Sequence, residues 1–275
     1  MPEQRYGDAV RDIINDASDN FDIRVRVEEV TTIPINQEDY PLEQTQQGEW
    51  RWLRILGVVC VFIDMKNSTR ICADSSPEDR ASVYQFFTDT AVRILDEFGA
   101  SYIDIKGDGA FGLFNGTELC HAIAAAITFK TFVNYEMKTA GRDGSPICCH
   151  IGVHKDDVLV KRLGLRQSRG KVTTQNEVWA GNPVNMAAKL AALGKENDLL
   201  ISKPVYQKIK NLSDVLTLTC GCPKGDKSPL WKSVSLQSEM GTYGFPFNEA
   251  RRLNSNGWCD KHGSDFCEAV CKLDQ

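Results

Sequence analysis

Residues 53–63 read Leu-Arg-Ile-Leu-Gly-Val-Val-Cys-Val-Phe-Ile, an apolar and β-branched run that stops abruptly at Asp64. The run is too short for a typical helix, so it predicts a strand buried on both faces. Such a strand needs other layers packed above and below it. A chain of 275 residues, 42% hydrophobic and 25% charged, has the material to build them. The same run is far short of the roughly 18 apolar residues that suggest a membrane span. The first residues carry no apolar segment of the secretory kind, so a cytoplasmic location is expected. Acidic side chains number 37 against 32 basic ones, a formal charge of −5, which removes the basic footprint of a nucleic-acid binder.

Around this strand the pattern is regular. Ala9, Val10, Ile13, Ile14 and Ala17 recur at helical spacing, and residues 34–50, polar with two prolines, read as a connecting arm. Residues 1–50 are therefore expected to form a helix and arm, 51–215 a main domain and 216–275 a small C-terminal subdomain. Ser76-Pro77-Glu78-Asp79 supplies an N-cap, a first-turn proline and acids suited to a helix start. Val83, Phe86, Phe87, Ile94, Leu95 and Phe98 then mark one face up to Gly99. Residues 102–114 predict two short strands joined at Gly107-Asp108-Gly109. Residues 117–138 predict a helix, 147–154 a strand, and 158–163 its hairpin partner. Asn182-Pro183 is expected to cap a further helix through Leu193. The order points to the α+β class, an antiparallel sheet covered by helices.

The chemistry concentrates where the buried strand ends. Asp64 is followed by Met65-Lys66-Asn67-Ser68-Thr69, a turn whose backbone N–H groups suit a phosphate. Asp108 sits on the hairpin. If that hairpin lies beside the first strand, the two aspartates can share divalent cations that bridge phosphate oxygens, the equipment of phosphoryl transfer. An isolated aspartate would be read as a turn residue. Here Asp64 interrupts apolar sequence with no charge to compensate it, and a buried unpaired carboxylate is costly without a cation.

Phe62–Thr69 (FIDMKNST), Lys106–Phe114 (KGDGAFGLF) and Gly181–Leu190 (GNPVNMAAKL) resemble three ordered motifs of the class III nucleotide cyclases, with 44 positions between the two aspartates. The likeness spans about residues 53–210. It implies that Asp64 and Asp108 hold two Mg²⁺ or Mn²⁺ ions with the Met65 carbonyl as a third ligand. It implies a phosphate-binding turn at Lys66, Asn67, Ser68 and Thr69, with Asn185 orienting the ribose. The family's arginine that steadies the reacting phosphate falls at Lys189, which brings charge but no bidentate fork. Arg162, Arg166 or Arg169 could share that task, and a solvated helix lysine is the alternative for Lys189. The family works as a head-to-tail pair of domains. A homodimer is implied, with Asp64 and Asp108 of one subunit facing Asn185 and Lys189 of the other. In that reaction the ribose 3′-hydroxyl attacks the α-phosphate of a nucleoside triphosphate and pyrophosphate leaves.

The base-reading positions depart from the purine branches. Where class III adenylate cyclases have a lysine four residues before the second metal aspartate and an aspartate seven before the ribose asparagine, this chain has Asp104 and Val178. Guanylate cyclases carry an acid at the first position and usually cysteine at the second. An acid at 104 can accept a hydrogen bond from uracil N3–H or the cytosine amino group, while Val178 adds bulk. Trp52, in Trp50-Arg51-Trp52, could fill the space a purine needs, or be ordinary core. Val178–Asn185 (VWAGNPVN), the tryptophan beside the first strand and the cysteine-bearing tail resemble the bacterial pyrimidine cyclases of anti-phage defence. That likeness implies a product, cyclic UMP or cyclic CMP with UTP favoured as substrate, that activates a separate effector.

Five of the ten cysteines lie in the last 56 residues. Cys220, Cys222, Cys259, His262, Cys267 and Cys271 offer six soft ligands, of which four could hold a tetrahedral Zn²⁺. Unligated thiols in a small packed subdomain are the other reading, because the spacing shows no pair of C-x-x-C knuckles. Lys224 and Lys227 fall where the family often has a lysine for the triphosphate.

Overall fold

The computed structural model describes residues 7–66, 68, 76–138, 146–165 and 174–275. The elements in chain order are α1 (Asp8–Phe21), β1 (Val25–Val30), β2 (Trp50–Lys66), α2 (Pro77–Glu97), β3 (Tyr102–Lys106), β4 (Gly109–Phe114), α3 (Leu119–Glu136), β5 (Cys148–Leu165), β6 (Thr174–Gly181), α4 (Asn182–Leu193), β7 (Asp198–Ser202), α5 (Lys203–Ile209), β8 (Trp231–Ser235), α6 (Met240–Tyr243), β9 (Glu249–Leu253) and α7 (Gly263–Cys271). They build one nine-stranded sheet in the order β3-β4-β2-β5-β7-β9-β8, with β1 beside β2 and β6 beside β5. Most pairs are antiparallel, as expected; β1 with β2 and β5 with β7 are parallel. No described helix is long and apolar enough to cross a membrane.

The run at 53–63 lies inside β2, between β4 and β5. Its side chains alternate between two cores, as a strand's period of two requires. Val59, Val61, Ile63 and Met65 face α2 and α3, where they meet Phe87, Ala91 and Leu95 of α2 and the alanine-rich α3. Val58, Cys60 and Phe62 face the other way, toward Val158, Val160, Ala187 and the arm residues Ile33 and Tyr40. Ser76 caps α2 by accepting from the Asp79 N–H. The α3 helix is apolar on nearly every side because the sheet, α2 and α7 all pack on it.

Residues 148–165 form one continuous strand, not the strand at 147–154 with a hairpin partner at 158–163 that was expected. The reason is a bulge in the partner. The β2–β5 register shifts between Ile55 and Val58, with Gly57 at φ +65°. Asp157 answers that bulge by accepting the Gly57 N–H at 2.9 Å and Arg54 Nη2 at 2.7 Å. Those bonds, the Gly57 N–H foremost, hold its carboxyl below the usual range. A charged run that reads as a turn is thus held in the ladder, and the hairpin partner of β5 is β6.

The C-terminal residues join the same sheet. β9 pairs with β7 and β8 with β9. The α7 helix packs on α3, and Asp274 accepts the backbone N–H groups of Cys120 and His121 at the start of α3. The stripe of α1 at Val10, Ile13 and Ile14 is exposed, and none of its residues is buried.

On the face away from α2 and α3, α4 presses onto β5 at Gly152. A Cβ there would sit 1.9 Å from the Ala187 carbonyl oxygen and 2.8 Å from the Ala191 nitrogen. Only glycine allows this approach, and the contact sets the height of α4 above the sheet. Gly152→Ala is expected to destabilise the fold by about 3 kcal/mol or more, since backbone cannot yield as a side chain can. Gly241→Ala, which meets nothing within 4 Å, should stay within about 1 kcal/mol of the parent in the same thermal-unfolding measurement.

Candidate active site

Alternation along β2 sends Ile63 and Met65 into the helix-side core, and hence Phe62, Asp64 and Lys66 to the opposite face. Beside the end of β2 runs the β3–β4 hairpin. Lys106 pairs with Gly109, so Gly107 and Asp108 are the two turn residues, and Gly107 has the positive φ of +65° that such a turn needs at its first position. The next residue locks the hairpin to β2. A Cβ on Gly109 would lie 2.6 Å from the Ile63 carbonyl oxygen and 2.9 Å from Asp64 Oδ1. Asp64 therefore lies across a bare α-carbon, with Asp108 next along the chain.

The two carboxylates feel each other. Burial pushes the Asp64 carboxyl up to about 6, and the charge of Asp108 adds to the effect. Among the described residues neither aspartate makes an ion pair. Two half-buried oxygen-donor side chains fit a hard divalent ion of the Mg²⁺ or Mn²⁺ kind. The Met65 side chain is buried in the far core, so only its carbonyl is available as a ligand. Lys66 Nζ lies 3.9 Å from Glu196. Ser68 is half-buried just beyond the strand, while Asn67 and Thr69 lie outside the described residues.

One residue here escaped the sequence reading. His150 is the register partner of Asp64 on β5, and its Nε2 is buried with no hydrogen-bond partner among the described residues. Burial lowers its pKa, so the imidazole is neutral at pH 7. Its cross-strand position is visible only once β5 is paired with β2.

The helix α4 carries Asn185 and Lys189 four residues apart. Its buried side is Pro183, Met186, Ala187, Leu190 and Ala191, which leaves Asn185 exposed and Lys189 half-exposed on the outward side. Asn182 is the first helical residue and not the cap that was expected; Gly181 holds the cap position, and the Asn182 side chain instead donates to Asp156 Oδ2 at 2.8 Å. Arg162 is engaged elsewhere: its Nε lies 3.5 Å from Glu177 Oε1, both side chains nearly buried. Arg166 and Arg169 lie outside the described residues.

Asp104 stands on β3 opposite Phe111, which in turn is opposite Phe62 on β2. The Phe62 and Phe111 rings stack with centroids 6.3 Å apart, and Asp104 pairs with Lys106. Val178 lies on β6 opposite Lys161, its side chain 39% exposed. Its neighbours Glu177 and Trp179 point inward: Tyr102 donates to Glu177 Oε2 at 3.3 Å and lies 4.7 Å from the Trp179 ring. Trp52 stands apart from this group within one chain. It pairs with Val27 of β1, ten positions along β2 from Phe62, or roughly 30 Å of strand. The aromatic residues that gather near Asp104 are instead Tyr102, Phe111 and, through Tyr102, Tyr40 and Trp179. Their spacing in the sequence carries no hint of this contact.

Of the six C-terminal ligands, the structure gathers four. The ligand atoms of Cys220, Cys222, Cys259 and His262 all lie within 4.8 Å of one another. Cys267 and Cys271 are elsewhere, on the side of α7 that packs against the α3 core, where burial raises both thiols. Lys224 and Lys227 are exposed on the loop that carries Cys222.

The model of the adenylate and guanylate cyclase catalytic domain matches residues 54–243. A uridylate cyclase of Propioniciclava tarda is 34% identical over 226 residues, 80% of this chain and 70% of that protein. One of Micromonospora echinofusca is 32% identical over 227 residues, 80% and 71%. Among solved structures, the catalytic core of a rhodopsin-guanylyl cyclase with converted specificity, in complex with ATPαS, superposes with a TM-score of 0.57 at 19% identity, covering 74% of this chain and 98% of that one. The adenylyl cyclase CyaB of P. aeruginosa gives 0.55 at 14% identity, covering 74% and 96%. With the matched segment holding both aspartates and the α4 asparagine, the chain belongs to the adenylate and guanylate cyclase catalytic-domain family.

Proposed function

We propose that this cyclase acts on a pyrimidine nucleoside triphosphate, UTP before CTP, and forms the 3′,5′-cyclic monophosphate and pyrophosphate. The observation that carries the reading is Asp64, a carboxylate pressed across Gly109 whose pKa is raised by burial first and by the charge of Asp108 second. Bound there, Mg²⁺ or Mn²⁺ would offset that repulsion and draw negative charge from the triphosphate. In the reaction a bond forms between the ribose 3′-oxygen and the α-phosphorus, the bond to the β-phosphate oxygen breaks, and the 3′-hydroxyl proton is released. Asn185 is assigned to orient the ribose and Lys189 to face the reacting phosphate. Both project outward from α4, as side chains serving a site shared with a second subunit must. The homodimer is part of the proposal and rests on that outward placement of Asn185 and Lys189.

Pyrimidine selection is supported by the relatives named uridylate cyclases and by the residues near Asp104. Its carboxylate accepts from uracil N3–H, while Tyr102, Phe111 and Trp179 occupy space on the same face. We further assign the cyclic product to a separate effector in anti-phage defence. Lys189, at the family's arginine position, gives a second reading, a sensor that binds nucleotide without turnover.

Incubation with ATP, GTP, CTP and UTP separately, in Mn²⁺, should yield mainly cyclic UMP; turnover of ATP alone overturns the pyrimidine reading, and binding without pyrophosphate release favours the sensor. Asp64→Asn and Asp108→Asn should each lower kcat by about 1,000-fold or more while the fold persists. The raised Asp64 pKa has a definite sign. Ionising this carboxyl costs the metal-free fold stability as pH rises from about 4 to about 6. Asp64→Asn should therefore stabilise the metal-free protein at pH 8 by about 1–2 kcal/mol after solvent screening. Mn²⁺ affinity, measured by calorimetry, should fall as pH drops through about 6, where protons compete for Asp64.

A further inference from the structure

We propose that Cys220, Cys222, Cys259 and His262 bind one structural Zn²⁺ that clips the 218–229 loop to the segment preceding α7. Three thiols and an imidazole converge from two stretches of chain about forty residues apart. Cys222 Sγ lies 3.3 Å and Cys259 Sγ 3.9 Å from His262 Nδ1. A tetrahedral zinc with sulfur and nitrogen ligands sets such separations at about 3.5–3.8 Å. The set is soft, four-membered and closed, which suits a structural rather than a catalytic ion.

The backbone is shaped for it. Gly221, between the first two cysteines, has φ +86°, and a Cβ there would lie 2.7 Å from the Gly225 carbonyl oxygen. The Gly225 N–H donates back to the Gly221 carbonyl at 2.6 Å. This tight knuckle turns Cys220 and Cys222 to one side. Across from it, Cys259 and His262 stand three residues apart just before α7, so a single short stretch of chain presents both ligand atoms.

The clip also answers a packing problem. Every residue from Cys222 to Pro229 is exposed, so the loop has no apolar anchor of its own. The segment it meets is firmly held: Trp258 donates through its backbone N–H to Thr131 Oγ1 and through Nε1 to Thr128 Oγ1, both on α3. Asn134 donates to the Asn256 carbonyl. Between them lies a cavity of about 280 Å³, lined by Ile127, Leu218, Leu230, Trp258 and Phe266 together with the three cysteines. A metal at the cysteines closes its outer wall. The site adjoins α3, whereas Asp64 faces away from it, so the proposal stands apart from the catalytic reading.

The test is elemental analysis of the full chain, purified in reductant without chelator. About one zinc per chain is expected. Cys222→Ser and Cys259→Ser should each lose it, and Cys267→Ser should keep it. Removing zinc from the parent should lower its Tm and open the 218–229 loop to proteolysis. Should the variants fail to fold, cobalt loaded into the parent chain still decides the matter. Intense visible bands with thiolate charge transfer mark a tetrahedral site and support the proposal. The weak spectrum of an octahedral ion overturns it, as does less than about a tenth of a zinc per chain after equilibration of the reduced protein with zinc chloride, or equal metal loss from Cys267→Ser.

Discussion

The pairing of β2 with β5 is the contact on which the rest of this molecule hangs. Both strands are long, they run antiparallel through the centre of the sheet, and each contributes to two cores. With neighbours on both edges, the ladder satisfies the backbone of β2 without water, which lets nearly all of its apolar side chains be buried. The same alternation that places Ile63 and Met65 among the helices obliges Asp64 to face the other side. The carboxylate is therefore positioned by the packing of its neighbours, and the cost of holding it there is borne by a large apolar interface.

Two glycines turn that framework into a site. Gly109 lets the β3–β4 hairpin lie against Asp64, and Gly152 lets α4 lie against β5. Each marks a place where backbone approaches so closely that a methyl group would collide. Between them they set how near Asp108 comes to Asp64 and at what height the outward side of α4 stands. The electrostatic result is a pair of like charges in a partly desolvated setting, the condition under which a divalent cation contributes most.

Legibility in the sequence followed the strength of local signals. The β2 run, the Ser76 cap, the Gly107-Asp108 turn and the Asn182-Pro183 helix start each carry their own physical cause within a few residues, and all four stand where they were expected. β1, β6, β7, β8 and β9 were not anticipated. They are short, and β1 and β9 carry charges, such as Glu28 and Arg252, whose ion-pair partners Arg51 and Asp198 lie far along the chain. The polar stretch at 155–157 misled for a similar reason, since its stabilising partner is a bulge a hundred residues away. Trp52 and Asp104 looked like members of one pocket, yet ten positions of strand separate their rows.

Sequence alone determined the class of the sheet, the two aspartates and the helix that carries Asn185 and Lys189, because strand period, turn chemistry and helix capping act over short range. Tertiary structure decided what no local pattern encodes. It chose which four of six soft ligands converge, set His150 opposite Asp64, and gathered Tyr40, Tyr102 and Trp179 from three separate segments. These depend on strand register and on distances between elements remote in the chain, and register is a property of the assembled sheet, which no single strand possesses.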